Sequence, residues 1–274
     1  MKLSVAMKDE FSVSKLCWAA VLVLQAGAIA VAILAISKAA LTLPALISGA
    51  LVPIVCTALK RRGGASYDRG EKLRRLIVRS EGLGQAPSPV ELAAAAADAP
   101  GFGSLDPEPL GSYYASTKPP GPQRLAHIVA ESAMFTSRLA RTSERLCFLA
   151  VGLGLTVGLL RLFMFVAHPA GTPIDAERAA QAASMVLAFG FTTEFAGLML
   201  GYTDLAEGAR GTLDACGRLA EAADVQLDVV MAAVADYDLA LAKGPPLSGI
   251  VYRFQRDFLD RAWKILNLPT KEEN

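Results

Sequence analysis

The fold class this chain predicts is all-α: a polytopic membrane protein with four transmembrane helices and a helical cytosolic domain. Three observations predict it. Of 274 residues, 53% are hydrophobic and 19% charged, below the share of about 25% charged residues usual in a soluble domain. Four runs, 17–36, 41–59, 147–166 and 182–201, carry almost no charge and have about the 20 residues needed to cross roughly 30 Å of hydrocarbon. They stand two and two around a polar central segment.

The organisation read from the chain is therefore a lead (1–16), a first transmembrane hairpin (17–59), a cytosolic helical segment (60–145), a second hairpin (146–202) and a cytosolic helical tail (203–274). The lead is short and polar, with Lys2, Lys8 and Lys15. A basic lead before an apolar run resembles a secretory signal. Here the run is longer than a typical h-region of about 7–15 residues and a second span follows at once, so an uncleaved helix is expected. Gln25 is the one strongly polar side chain in the first span before its last residues. In the second span Pro44 lies near the start, where proline is tolerated, whereas Pro53 is internal and predicts a kink.

Basic residues orient the spans. Lys60, Arg61, Arg62, Arg69, Lys72, Arg74 and Arg75 follow the second run, and Arg138, Arg141 and Arg145 precede the third. The outer connections hold only Lys38 and Arg178, the latter near Asp175 and Glu177. The positive-inside rule places both termini and the central segment in the cytoplasm of a cell whose inner membrane is crossed four times.

Within the central segment, 68–80 predicts a basic helix with Leu73, Leu76 and Ile77 on one side. It suits anionic headgroups, and Lys60, Arg61, Arg62, Arg69, Arg74 and Arg75 form a candidate lipid or anionic-ligand surface. A solvated helix that only sets topology fits equally. Ser88, Pro89 and Glu91 open another helix as N-cap, first-turn proline and capping-box glutamate. A Gly- and Pro-rich loop follows over 101–122. From Arg124 onward Leu125, Ile128, Val129, Phe135 and Leu139 recur at helical spacing, so the third span is expected to begin well inside the cytosol as one long helix. The fourth is expected to continue amphipathically to Ala242, where Gly244, Pro245 and Pro246 stop it, before a last aromatic and basic helix over 252–266.

The second hairpin holds the candidate functional residues. Arg161 and Glu194 lie in apolar runs, where a charge costs roughly 2.5–3.5 kcal/mol on insertion scales and usually faces a partner, a bundle interior or water. The two arms run antiparallel, which allows these side chains to meet. The bland alternative has Arg161 snorkelling to the nearer surface and Glu194 as a hydrogen-bonded packing residue. Thr192 and Thr193 extend Glu194 into a candidate polar seam or pore wall. Gly154 and Gly158, and Gly197 and Gly201, repeat at four-residue spacing and predict close helix packing, within or between subunits.

Several classes are excluded for want of material. Cys17, Cys56, Cys147 and Cys216 have no metal-ligand or disulfide-framework spacing, and there are only two histidines, His127 and His168. No metal site or other cofactor is expected. No phosphate loop or nucleophile elbow is present, so the chain is not expected to be an enzyme. A net charge of +1 argues against nucleic acid as a partner. A small transporter would call for an inverted repeat, which the halves lack beyond their paired spans.

The layout resembles bacterial four-transmembrane pore-forming effectors associated with cyclic-oligonucleotide antiphage signalling. Local features of the resemblance are Tyr113-Tyr114-Ala115-Ser116, the helix start at Pro119-Pro120-Gly121-Pro122-Gln123-Arg124-Leu125, Glu131-Ser132-Ala133, and the 245–263 region with Tyr252, Arg253, Arg256 and Asp257. The resemblance implies a homo-oligomeric pore, opened by a cyclic oligonucleotide or a sensor protein, that disrupts the inner membrane on infection. A membrane-anchored binding scaffold without conductance is the alternative.

Overall fold

In the computed structural model the chain is all-helical among the described residues. Those residues are 1–35, 39–98, 104–106, 113–166, 176–247 and 249–266, without the side chains at 32, 33, 35, 39, 42, 161, 164–166, 176–189, 260 and 264–266. The helices are α1 (Leu3–Ala35), α2 (Thr42–Leu83), α3 (Pro89–Asp98), α4 (Pro122–Val166), α5 (Ala176–Glu221), α6 (Leu227–Lys243) and α7 (Gly249–Leu266), with a 3-10 turn at Ala39–Leu41. Among the described residues three stretches are long and apolar enough to cross a membrane, Leu3–Val31, Leu43–Leu83 and Pro122–Leu160.

The chain divides into two compact units. One, the polar unit, comprises Met1–Phe11, Asp68–Ser143 and Gly201–Asn274; the other, the apolar unit, comprises Ser12–Tyr67 and Glu144–Leu200.

In the polar unit the expected lead is already helix. Leu3, Ala6 and Met7 share one face and pack with Leu73, Ile77, Ala95 and Leu105, all buried, with Tyr114 and Leu92 beside them. This overturns the picture of 68–80 as a separate helix lying on lipid. That stretch continues α2 without a break, and its apolar side is taken up by protein. Each fully buried leucine or isoleucine contributes about 1.5–3 kcal/mol, more than a half-exposed helix could gain at a wet interface. Gly70 permits the contact, since a Cβ there would stand 2.8 Å from Phe11 Cε1.

α2 ends at Gly84, whose φ of +72° is left-handed and whose N–H donates to Ser80 O at 2.9 Å, a helix-ending geometry that favours glycine. α3 starts with the expected capping box. Ser88 N–H donates to Glu91 Oε2 at 2.8 Å, and Glu91 N–H donates to Ser88 Oγ at 3.3 Å. α4 runs from Pro122 for 45 residues, in keeping with the helical spacing read from Arg124 onward.

The expected continuous tail helix is broken. α5 stops at Glu221 and α6 starts at Leu227. Lys118 Nζ donates to Ala220 O at 2.8 Å and Gln123 Nε2 to Ala222 O at 2.5 Å, so side chains from elsewhere satisfy carbonyls that the next helical turn would have used. α6 returns along α5, with a Cβ at Gly208 only 2.8 Å from that of Ala240, and Gly244 ends it. α7 packs Val251 and Leu259 with Leu139, beside Phe135 and Leu247.

In the apolar unit α1 and α2 run antiparallel. Cys17 Cβ lies 3.0 Å from a Cβ built at Gly63, Cys56 Sγ lies 3.9 Å from Val21 O, and Val31 packs on Ala45. Pro53 sits inside α2, which continues through it; Thr57 Oγ1 donates to Pro53 O at 2.8 Å.

Candidate functional site

The apolar unit holds stretches long and apolar enough to cross a membrane, a setting in which a charge usually meets an internal partner. Glu194 on α5 has two. Lys60 Nζ, on α2, lies 2.5 Å from Glu194 Oε1, and Gln25 Nε2, on α1, donates to Glu194 Oε2. An ionised carboxylate accepts only, so the amide must turn its NH₂ toward it. Three helices thus meet at one carboxylate. Both charged side chains are mostly covered, with 32% of Lys60 and 19% of Glu194 exposed. Helical side chains lean toward their own N-terminus, and for Lys60 that direction leads back along the apolar run of α2.

The seam read from the sequence is rearranged by these contacts. Glu194 engages Lys60 and Gln25, while the Arg161 side chain, its expected partner, lies outside the described residues. Thr192 faces elsewhere: a Cβ on Gly154 of α4 would overlap its hydroxyl. Positions two apart on a helix point about 200° apart, so Thr192 and Glu194 cannot line one seam. Thr193 is exposed. Of the glycines, Gly154 provides the close α4–α5 approach and Gly158 is buried. Among the described residues Gly197 has nothing within 4 Å of a Cβ, and Gly201 meets Pro245 Cδ at 3.0 Å, so neither brings a second apolar run close.

The proposed lipid or anionic-ligand residues are largely engaged by carboxylates. Arg69 donates to Glu10 through Nε at 2.9 Å and Nη2 at 3.0 Å. Arg74 bonds Glu71 at 2.7 Å and Asp238 at 2.6 Å, and Arg75 lies 3.1 Å from Asp238. Lys60 holds Glu194, and Arg61 and Arg62 are exposed. Of these acidic partners the basic run itself contains only Glu71, three residues before Arg74, whereas Glu10 and Asp238 are remote in sequence.

In the polar unit Arg74 centres a buried network. Its guanidinium stands 5.3 Å from the Tyr237 ring, and the Tyr237 hydroxyl shares a 2.8 Å hydrogen bond with Thr136. Burial alone would favour the neutral guanidine, but Glu71, the nearby Tyr237 and Tyr114, and Asp238 outweigh it and hold Arg74 protonated. Burial pushes Tyr237 up to about 12 and raises Tyr114 as well, so both remain phenols at neutral pH. A second buried pair joins Glu81 to Arg124 at 3.2 Å. Glu81 also accepts Tyr113 N–H at 3.1 Å, and Arg124 donates to Lys118 O at 2.9 Å. These networks hold helices in place and present no nucleophile with a base.

Gln25 was visible in the sequence only as an interruption of an apolar run. That interruption was the available signal. No protein-family model matches the chain, and no curated protein or solved structure matches it either.

Proposed function

We propose that this chain is a pore-forming membrane protein of four spans, with both termini in the cytoplasm of a bacterial cell, acting as a homo-oligomer opened by a cytosolic signal. The observation that carries the reading is the three-helix cluster of Gln25, Lys60 and Glu194, held by α2 and α5, which continue unbroken into the polar unit. At about 1.5 Å per residue, the 42 residues of α2 and 46 of α5 extend about 65 Å, twice the hydrocarbon thickness. In this reading the cytosolic signal rotates these helices.

Separating Glu194 from Lys60 leaves two uncompensated charges in an apolar setting, a loss of roughly 3–5 kcal/mol unless water reaches them. The broken state is therefore favoured only when wet, which couples helix rotation to a hydrated lumen. The resemblance to antiphage effectors makes a cyclic oligonucleotide or a sensor protein the expected trigger, and membrane disruption the output.

A scaffold without conductance is the second reading, favoured because the pair is satisfied within one chain. Membrane potential in cells making wild type, Glu194→Leu or Lys60→Leu/Glu194→Leu separates the two, with insertion checked in each. The pore reading expects depolarisation by wild type in the presence of its genomic neighbours and its loss in both variants. Equal ion flux in wild type and Glu194→Leu would refute it. The scaffold reading expects no depolarisation and a double variant as well folded as wild type.

A further inference from the structure

Helix α7 has two faces with different fates. Val251, Leu259 and Trp263 are buried in the polar unit. On another side Ile250, Phe254 and Phe258, one turn apart, are 63%, 85% and 54% exposed. Single exposed apolar residues need no explanation, but three large ones on successive turns form a patch. The helix is also basic, with Arg253, Arg256, Arg261 and Lys264 against Asp257 and Asp260.

Where α7 is tethered gives the patch a partner. Tyr202 Oη donates to Pro246 O at 2.8 Å, Pro245 abuts Gly201, and Gln255 Nε2 donates to Thr142 Oγ1 at 2.5 Å. Gly201 closes the apolar run 182–201, and Thr142 stands five residues before the run 147–166 begins. In sequence, both anchors thus adjoin the runs read as the third and fourth spans. We propose that α7 lies in the headgroup layer of an anionic bilayer, with Ile250, Phe254 and Phe258 at the acyl boundary and Arg253 and Arg261 snorkelling to phosphates. This rests on the reading of those two runs as spans. A second copy is a poorer occupant, because docking through the same face would bring the arginines of both helices together.

The test uses the full chain reconstituted in phosphatidylcholine vesicles with and without phosphatidylglycerol. Nitroxide labels are placed at Phe254→Cys and Phe258→Cys, with Leu153→Cys on α4 and Val229→Cys on α6 as references. The four native cysteines are buried, so the label goes to the introduced thiol. The expected result is high oxygen and low nickel-chelate collision at Phe254→Cys and Phe258→Cys, as at Leu153→Cys, strengthened by phosphatidylglycerol. Adding Arg253→Glu and Arg261→Glu removes that strengthening and leaves Leu153→Cys unchanged. Water-like collisions at both α7 sites, as at Val229→Cys, with Leu153→Cys in lipid, would overturn the proposal and leave the spans standing. Shielding from both reagents with spin–spin broadening would overturn it in favour of a second copy. Water-like collisions at Leu153→Cys would overturn the spans and the proposal together.

Discussion

In the polar unit Leu3, Leu73, Ile77, Leu125 and Leu205 are each 1% exposed, whereas in the apolar unit Leu51, Ile54, Leu149 and Leu153 are between 55% and 67% exposed. The side chains are of the same kind, and the exposed ones lie in stretches long and apolar enough to cross a membrane. Water expels apolar surface and rewards burial, while hydrocarbon is as apolar as leucine and rewards only close packing and satisfied polar groups. Polar contacts follow the same division. The polar unit spreads ion pairs over Glu10, Glu71, Glu81 and Asp238, whereas the ion pair described in the apolar unit is that of Lys60 with Glu194, which Gln25 joins.

The largest break in this comparison is expected at Glu81, whose side chain is 1% exposed beside Arg124. Glu81→Leu leaves a buried guanidinium and the Tyr113 N–H without their acceptor, and should destabilise the polar unit by roughly 3–5 kcal/mol in denaturant titration. Glu81→Leu with Arg124→Leu should recover most of that loss, since apolar replacement of a whole buried pair is often neutral. A double variant as unstable as the single would show that the hydrogen bonds to Tyr113 and Lys118, not the charges, carry the effect.

Glycines sharpen the contrast at a smaller scale. A Cβ on Gly82 would sit 2.7 Å from Leu125 Cδ1 and 2.9 Å from its Cα, so backbone must move. Gly82→Ala should cost about 1–3 kcal/mol. Gly197→Ala, in open space, should leave the monomer's melting unchanged. If crosslinking then shows a lost oligomer, Gly197 packs between copies.

The smallest effect is expected at the start of α3. Ser88→Ala should cost about 1 kcal/mol in local amide-exchange protection. The Arg79 hydrogen bond first, then the Ser88 N–H and hydroxyl, hold Glu91 down at about 2, and Lys72 lowers Asp98 in the same direction. A carboxylate depressed on folding contributes stability that is complete above its unfolded value of about 4.3 and lost as pH falls toward 2. Protection of α3 should therefore fall across that window, and Glu91→Gln should flatten it. Asp98 is exposed and Glu91 half-exposed, so the amplitude will shrink in high salt.

Local chemistry made much of this fold legible. Helical class, the uninterrupted α4, the Ser88–Glu91 box and the Gly244-Pro245-Pro246 stop follow from spacing, capping and proline geometry, which act over a few residues. The break between Glu221 and Leu227 did not follow, because its sequence contains neither glycine nor proline and its end is set by Lys118 and Gln123. For the candidate site, Glu194 was marked by its apolar surroundings and Lys60 by its place in a basic run. That they meet, with Gln25 as the third member, depends on three helices brought together from residues far apart in the chain. The sequence by itself determined which segments are helical and apolar, since periodicity and transfer energy are properties of a stretch. Only the tertiary structure decided which charge answers which, because a pairing depends on the distance between side chains, and no stretch contains that distance.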